Sequence, residues 1–398
     1  VGDDLFRVLG VEQSQRYKCI EQGVITSTTN AGYMINEVLR LLANRIHIEN
    51  LPTAFVTLGG KSMQIAPVKA RRDQLRKREV SADLLESMKQ ECKEKIESKY
   101  PQVAVLELVP SYFVLDGQEQ EEAPTENQRA ALVEAHYFAF VGKKELESRL
   151  NTAFDQAGRS IECTFVRPDV LLSVFQCEEA KEDEPYDILT DGCAVLDMGS
   201  QTTTLTVFKG GQYLANKVIP RGGYHITRAL EQQGLSFSTA EKLKTLYGYA
   251  APDLVEKNHS LQVPAVDGEG ELKVLFTEVA EVIQQKLDEI LAPVMQELDK
   301  YKDRIERLYI TGGASMLRGI DLYLRERTGY DVRYGMHDLL LTHNTDERYC
   351  APTYSALVGT ILMGQDYRDK HKDMLVKKPG FAEKLGQTIV NLFTDQQY

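Results

Sequence analysis

One short segment, residues 194–208, limits the fold more than any other part of this sequence. Three apolar residues lead into Asp197, Gly199 follows at a turn, and hydroxyl-bearing residues begin the returning strand at Thr202. Glycine allows a tight bend at such a point. The turn can direct backbone N–H groups and the Thr202 hydroxyl at a phosphate, while the carboxylate holds a hydrated divalent cation. On its own, the segment also fits an ordinary hairpin with an Asx-type turn.

A second segment places two glycines directly after a buried strand. Residues 308–311 are apolar or β-forming, and Gly312 and Gly313 follow them ahead of a predicted helix. The backbone can approach a ligand closely at such a position, and the N–H groups of the helix start face it. Gly-Gly turns of this kind also occur for steric reasons alone.

A third segment, residues 238–244, reads as the start of a helix. Glu241 and Lys244 are three residues apart and therefore lie on one helix face, where both can contact a ligand. Ser238 and Glu241 also match a capping box, in which the glutamate bonds to its own backbone. Both interpretations remain open from the sequence.

Composition excludes several classes of protein. The chain has 398 residues, of which 42% are hydrophobic, so it can form two or three domains with apolar cores. A net charge of −12 argues against a nucleic-acid partner, because such proteins neutralise phosphates with a basic face. The six cysteines form no CxxC pair or disulfide framework, and no apolar run is long enough to cross a bilayer.

The three segments, in this order, resemble the actin/Hsp70/sugar-kinase superfamily. Residues 197–202 resemble its second phosphate loop, 311–314 its adenosine motif, and 354–359 the connecting helix that follows. Within the superfamily, residues 218–227 and 238–248 are similar to FtsA, a bacterial cell-division family, and the similarity extends over essentially the whole chain.

This resemblance implies an α/β fold, namely an actin-like (ribonuclease H-like) two-lobed fold with an FtsA-type inserted subdomain and a C-terminal amphipathic helix. The expected divisions are a first lobe at 1–65 and 142–192, the inserted subdomain at 66–141, a second lobe at 193–230 and 301–364, its outer subdomain at 231–300, a linker at 365–378 and a membrane-targeting helix at 379–398. Residues 69–78, rich in Lys and Arg, are expected to form a solvated hairpin or loop, with a filament or membrane contact as the alternative.

The resemblance also implies cofactors, ATP and Mg²⁺. Asp197 would hold Mg²⁺ through water. The residues expected to contact the nucleotide are Asp197, Gly199, Ser200, Gln201 and Thr202 at the phosphates, Glu241 and Lys244 at the ribose, and Gly312, Gly313 and Ala314 at the adenosine.

The sequence departs from the family pattern in two places. Ser200 and Gln201 replace the usual glycines, and the first phosphate loop would precede Val1, so we expect an N-terminal piece to be missing.

No catalytic residue can be assigned. Asp169 is the only acid near the expected position of a general base, and it also suits a helix N-terminus. At most, a slow ATPase is expected.

The C-terminal residues have the pattern of an interfacial helix. At helical spacing, five apolar side chains share one face: Phe381, Leu385, Ile389, Leu392 and Phe393. Their burial in lipid would contribute on the order of 7–15 kcal/mol before ordering costs. The alternative is a helix docked on the globular body.

The resemblance implies an actin-like protein that polymerises and tethers the FtsZ ring to the cytoplasmic face of the inner membrane at the division site. Its partners would be the C-terminal peptide of FtsZ, bound on the subdomain at 231–300, further copies of itself, membrane lipid and other division proteins. A type IV pilus assembly platform protein and a small-molecule kinase of the same superfamily are the alternatives.

Overall fold

The computed structural model describes residues 5–14, 19–120, 123–125, 127–179, 186–188, 190–210, 212–265, 270–337 and 340–371, without the side chains of 177–179. The predicted membrane-targeting residues Phe381, Leu385, Ile389, Leu392 and Phe393 lie outside this part of the chain.

The first elements of the fold are β1 (Ile20–Glu21), β2 (Val24–Ile25), α1 (Thr28–Arg45) and β3 (Thr53–Leu58). The Ser27 hydroxyl accepts a hydrogen bond from the Asn30 N–H and so starts α1.

An antiparallel sheet with one covering helix follows. It consists of β4 (Met63–Glu79), α2 (Ala82–Lys99), β5 (Val103–Leu115), β6 (Gln118–Gln120) and β7 (Arg129–Lys143), with the strand order β4-β7-β5-β6. Met88 and Cys92 of α2 pack against Phe113 and Tyr137 of the sheet in a core of their own. This unit spans 63–143, where the sequence predicts an inserted subdomain at 66–141.

The basic residues at 69–78 lie in β4, so the prediction of a loop there is wrong. Pairing with β7 satisfies the backbone along most of this stretch, apart from a bulge between Asp73 and Arg78. The charges are largely paired within the subdomain. Glu134 is the partner of Lys69 and Arg71, Glu91 of Arg72, and Asp116 of Lys77.

The first lobe resumes with α3 (Glu145–Gln156), β8 (Ser160–Val166) and α4 (Arg167–Glu179). Strand β8 pairs in parallel with β3, and their last residues, Val166 and Leu58, are partners. The segments that leave these two strands, at Gly59 and Arg167, are therefore neighbours.

The second lobe is built on a five-stranded sheet of order β11-β10-β9-β14-β15. Its elements are β9 (Cys193–Met198), β10 (Thr203–Lys209), β11 (Gln212–Ile219), α5 (Gly223–Glu231), α6 (Phe237–Tyr247), β12 (Ser260–Pro264), β13 (Glu271–Leu275), α7 (Phe276–Leu298), β14 (Arg307–Thr311), α8 (Ile320–Thr328) and β15 (Asp331–Tyr334). The last helix, α9 (Ser355–Lys370), returns to the first lobe, where Gly359 lies against α4 and Gly364 against β3. The central strands β9 and β14 run parallel and are buried along their whole length. Burial on both faces explains their nearly continuous apolar sequences.

Helix α9 continues to Lys370, so residues 365–370 are helical rather than part of a linker. Arg368 forms a two-point ion pair with Glu162 of β8, and the ring of Tyr367 packs against Phe55 of β3. These contacts hold the last turns of the helix on the first lobe. Within the described residues, no helix has both the length and the apolar content to cross a bilayer.

Candidate functional site

Asp197 and Gly312 lie side by side at the end of the second-lobe sheet. Strands β9 and β14 are in register with Asp197 opposite Thr311, so Gly312 is the next residue at that edge. Gly312 has a φ of 86°, and a Cβ there would lie 2.6 Å from the Met198 carbonyl oxygen and 2.8 Å from Asp197 Oδ1. Only glycine fits this close approach. The first two predicted motifs therefore meet in space.

The turn after β9 leaves a set of free backbone donors. Its ends are joined by a hydrogen bond from the Gly199 N–H to the Thr202 carbonyl oxygen, at 2.9 Å. The N–H groups of Ser200, Gln201 and Thr202 donate to no other residue that the structure describes. Successive free N–H groups at a turn can bind an anion. The phosphate contact at this turn stays a prediction.

Gly223, at the start of α5, is the point where the three motifs come together. Its N–H donates to the Gly199 carbonyl oxygen at 3.0 Å. A Cβ on Gly223 would lie 3.3 Å from the Ala314 Cβ and 3.5 Å from Lys244 Nζ. The turn after β9, the segment after β14 and helix α6 thus surround one residue.

Lys244 joins α6 to α5 through a partly buried cluster. Its Nζ donates to the Gly223 carbonyl oxygen at 3.1 Å, to Thr227 Oγ1 at 2.8 Å and to Glu241 Oε2 at 2.8 Å. These three bonds use all three donors of the ammonium group. The Glu241 side chain is 42% exposed, and its Oε1 has no partner among the described residues. Glu241 is therefore better placed than Lys244 for the predicted ribose contact.

The capping-box interpretation of Ser238 and Glu241 is wrong. The residue that caps α6 is Ser236, whose hydroxyl accepts a hydrogen bond from the Thr239 N–H at 3.1 Å. The helix thus begins two residues earlier than a cap at Ser238 requires. The Glu241 carboxylate turns to Lys244 and Thr227 instead of its own backbone.

Gln201 stands where the family usually has glycine, and its side chain joins the two lobes. Gln201 Oε1 accepts a hydrogen bond of 2.6 Å from the N–H of Gln22, at the tip of the β1–β2 turn. Gln22 Nε2 donates in turn to the Pro220 carbonyl oxygen at 3.2 Å. The backbone of Gln22 is left-handed, with a φ of 53°, and its carbonyl oxygen accepts from the Lys61 N–H.

The predicted magnesium ligand has a different partner. Both carboxylate oxygens of Asp197 accept hydrogen bonds from Arg167, from Nε to Oδ2 and from Nη2 to Oδ1, the latter at 2.9 Å. Burial acts to lower the pKa of Arg167, but the charge and hydrogen bonds of Asp197 outweigh it and raise that pKa. Among the described residues, no three His, Cys, Asp or Glu side chains are grouped as metal ligands. A water-mediated Mg²⁺ contact needs only one carboxylate, but both oxygens of Asp197 are already engaged by the Arg167 guanidinium, and in this arrangement the pair does not fit Mg²⁺.

The space between the lobes at this point is small. A cavity of about 20 Å³ is lined by both lobes, including Gly59, Gly60, Arg167, Asp197 and Asn216. This volume holds about one water molecule. A triphosphate does not fit in the cavity between Gly60 and Asp197 itself, so its phosphates would have to lie on the open side of Arg167.

Asp169 lies in the first turn of α4, two residues after Arg167. Burial, and next the negative charge of Glu107 on β5, raise the pKa of Asp169 well above its usual value. Burial also raises the pKa of Glu107, against the opposing charge of Lys89. Burial thus disfavours the charged form of each carboxyl group relative to one in water. The role of Asp169 as a general base stays unassigned.

Sequence reasoning missed Arg167, Gln22 and Gly60. Arg167 is a charged residue directly after a strand and before a proline, and that position is the signal that could have identified it. Gly59 and Gly60 directly follow β3, the same pattern as Gly312 and Gly313 after β14, and this could have indicated Gly60. Gln22 gave no signal, because its importance comes from contacts with the second lobe.

Comparisons with known proteins show what this chain is similar to. A family model described as "Cell division protein FtsA" matches residues 194–359. FtsA of Escherichia coli K12 is 26% identical over 278 residues, which cover 66% of this chain and 62% of that protein. FtsA of Streptococcus pneumoniae serotype 2 (strain D39) is 22% identical over 334 residues, covering 82% and 69%. The chain thus spans about three fifths of the length of the E. coli protein, by the 62% coverage.

A solved structure is similar over a larger part of the chain. A chain of a "PilM-PilN type IV pilus biogenesis complex" superposes with a TM-score of 0.65 at 16% identity, covering 88% of this chain and 90% of that one. Likeness at this identity concerns the fold alone. The predicted α/β, actin-like fold class is confirmed.

Proposed function

We propose that this chain is an actin-like cell-division protein that binds ATP between its lobes. The relatives that it resembles are named for cell division, and its fold is actin-like. The observation that carries the proposal is the meeting of three distant motifs around Gly223. Ligands of open α/β sheets bind outside the carboxyl ends of the parallel strands. Asp197, Gly199 and Gly312 lie at that edge.

Each part of the nucleotide has candidate contacts. The free N–H groups of residues 200–202 would bind the phosphates. Glu241 would accept hydrogen bonds from the ribose hydroxyls, with Lys244 holding it in place. The exposed backbone of Gly313 and the half-buried Ala314 would lie against the adenosine.

The second part of the proposal is a tether between FtsZ and the cytoplasmic face of the inner membrane at the division site. Residues 379–398 would supply lipid contact through Phe381, Leu385, Ile389, Leu392 and Phe393. One such helix binds weakly, so assembly of several copies into a polymer would multiply the membrane contacts. The C-terminal peptide of FtsZ would bind on the subdomain at 231–300, and other division proteins would join the complex.

Co-sedimentation with anionic liposomes tests the membrane contact. We expect the full chain to pellet with the liposomes and a chain without 379–398 to stay in solution. Ile389→Glu should reduce pelleting, because it places a charge on the apolar face, whereas Asn391→Glu on the polar face is the matched control. Equal pelleting of all four proteins would contradict the proposed membrane tether.

A pull-down with the C-terminal peptide of FtsZ tests the partner. The fold likeness to the pilus complex carries no function at its level of identity. Capture of the peptide supports the division protein, while failure to capture it leaves the pilus-type scaffold as the better candidate. For a small-molecule kinase, a catalytic carboxylate would have to face the cleft, and no residue has been assigned that role.

A further inference from the structure

Arg167 occupies the position at which a hydrated metal ion would meet Asp197. We infer that this chain binds adenine nucleotide without a divalent cation, and that the Arg167 guanidinium supplies the positive charge beside the phosphates. The inference rests on the proposed ATP site. To that proposal it adds which group supplies the positive charge opposite the triphosphate.

The first argument is the geometry of the carboxylate. Arg167 belongs to the first lobe and reaches Asp197 across the cleft, from the side on which a ligand would enter. It engages one lone pair on each oxygen. Asp197 is only 8% exposed, and Oδ1 also lies against the backbone at Gly312. The carboxylate otherwise lines a cavity that holds about one water molecule, which is too little space for the water shell of a cation.

The second argument is charge. A guanidinium stays protonated at any pH that a folded protein tolerates. A divalent cation on the same carboxylate would meet this positive charge at close range, so the two compete for Asp197. Displacing Arg167 would also separate a bidentate pair, which is the strongest kind of hydrogen-bonded contact between side chains.

The third argument is what the guanidinium still offers. It has five N–H donors, and Asp197 takes two of them. The other three have no partner among the described residues, and the side chain is 32% exposed. A guanidinium fork matches phosphate oxygens in spacing and charge. Arg167 can therefore hold Asp197 with one edge and contact a phosphate with the other.

The stem of Arg167 is also held in place. A Cβ on Gly59 would lie 2.8 Å from Arg167 Cδ, so the arginine packs directly on the backbone that follows β3. Because Arg167 directly follows β8, the pairing of β8 with β3 fixes the position of its backbone. A fixed stem reduces the entropy lost when the head group binds.

Titration of the full chain with ATP, in EDTA and then in excess MgCl₂, tests the inference. We expect the Kd of the wild-type chain to differ by less than about threefold between the two conditions. Arg167→Gln should bind at least about tenfold more weakly in EDTA, a loss of about 1.4 kcal/mol, and regain affinity in MgCl₂ because Asp197 is released. Arg348→Gln removes a charge at an exposed pair with Asp346 and serves as the control.

Each outcome decides a different point. Binding only in MgCl₂ overturns the inference and leaves the ATP site intact, whereas no binding in either condition overturns both. Equal binding by wild-type and Arg167→Gln chains in EDTA shows that Arg167 is not the compensating charge. The wild-type comparison alone decides the metal question if the variant does not fold.

Discussion

Gly312→Ala tests how closely the turn after β9 and the segment after β14 approach each other. Gly312 has a φ of 86°, in the region that side chains disfavour. An added Cβ would lie 2.6 Å from the Met198 carbonyl oxygen and 2.8 Å from Asp197 Oδ1. Neither neighbour can move freely, because Met198 is in the central strand and Asp197 is held by Arg167.

The expected loss of stability has two parts. The backbone at Gly312 has φ 86° and ψ 167°, a region that essentially only glycine adopts, and a residue with a side chain pays about 1–3 kcal/mol there. Forcing an extra carbon into a packed site costs about 1–3 kcal/mol more. Gly329 offers a control in the left-handed helical region, since its φ is 73° and its ψ 6°, and a Cβ there would meet nothing within 4 Å. Gly329→Ala should therefore show only the left-handed cost of about 1–2 kcal/mol, and Gly312→Ala the sum of its two parts, about 2–6 kcal/mol.

Urea unfolding measures the difference. The chain has no Trp and 19 Tyr, so tyrosine fluorescence and circular dichroism are suitable probes. We expect Gly312→Ala to unfold at a lower urea concentration than Gly329→Ala, by about 1–3 kcal/mol in free energy. Equal losses in the two variants would refute the close approach at Gly312.

Three other substitutions probe the site. Gln201→Ala leaves the Gln22 N–H without its acceptor, so hydrogen exchange at Gln22 should become faster; unchanged exchange would contradict the interlobe contact. Lys244→Met breaks three hydrogen bonds in a partly buried cluster and should lower the free energy of unfolding by about 1–3 kcal/mol, as measured in urea. Because burial and Glu107 raise the pKa of Asp169, the stability that its protonation contributes is present in acid and lost as pH rises through that raised pKa. Asp169→Asn does not titrate, so its thermal stability relative to wild type should increase from about pH 4 to pH 8; a constant difference would contradict the shift.

Local patterns predicted the second lobe well. The hairpin after Asp197 follows from a glycine between two apolar strands. The glycines at 312 and 313 indicated a close backbone approach, and the structure has one. These signals lie within a few residues of the feature they predict, which is why the sequence reveals them.

Features that depend on distant partners were not predictable. In the sequence, residues 69–78 resemble a solvent-exposed charged segment. They form a strand because β7 supplies the backbone hydrogen-bond partners and also Glu134, the ion-pair partner of Lys69. Helix α9 extends into the expected linker because Arg368 finds Glu162 on β8. The pair of Arg167 and Asp197 spans the two lobes, and neither residue has a pattern that points to the other.

Hydrogen exchange with and without ATP tests most directly whether the distant motifs share one nucleotide. The N–H groups of residues 200–202 make no hydrogen bond to the described protein, so they should exchange fast in the free chain. We predict that ATP slows exchange at 200–202 and at 312–316 together, while the amide of Gly329 is unchanged. Protection of only one of the two segments, or of neither, would contradict the shared site.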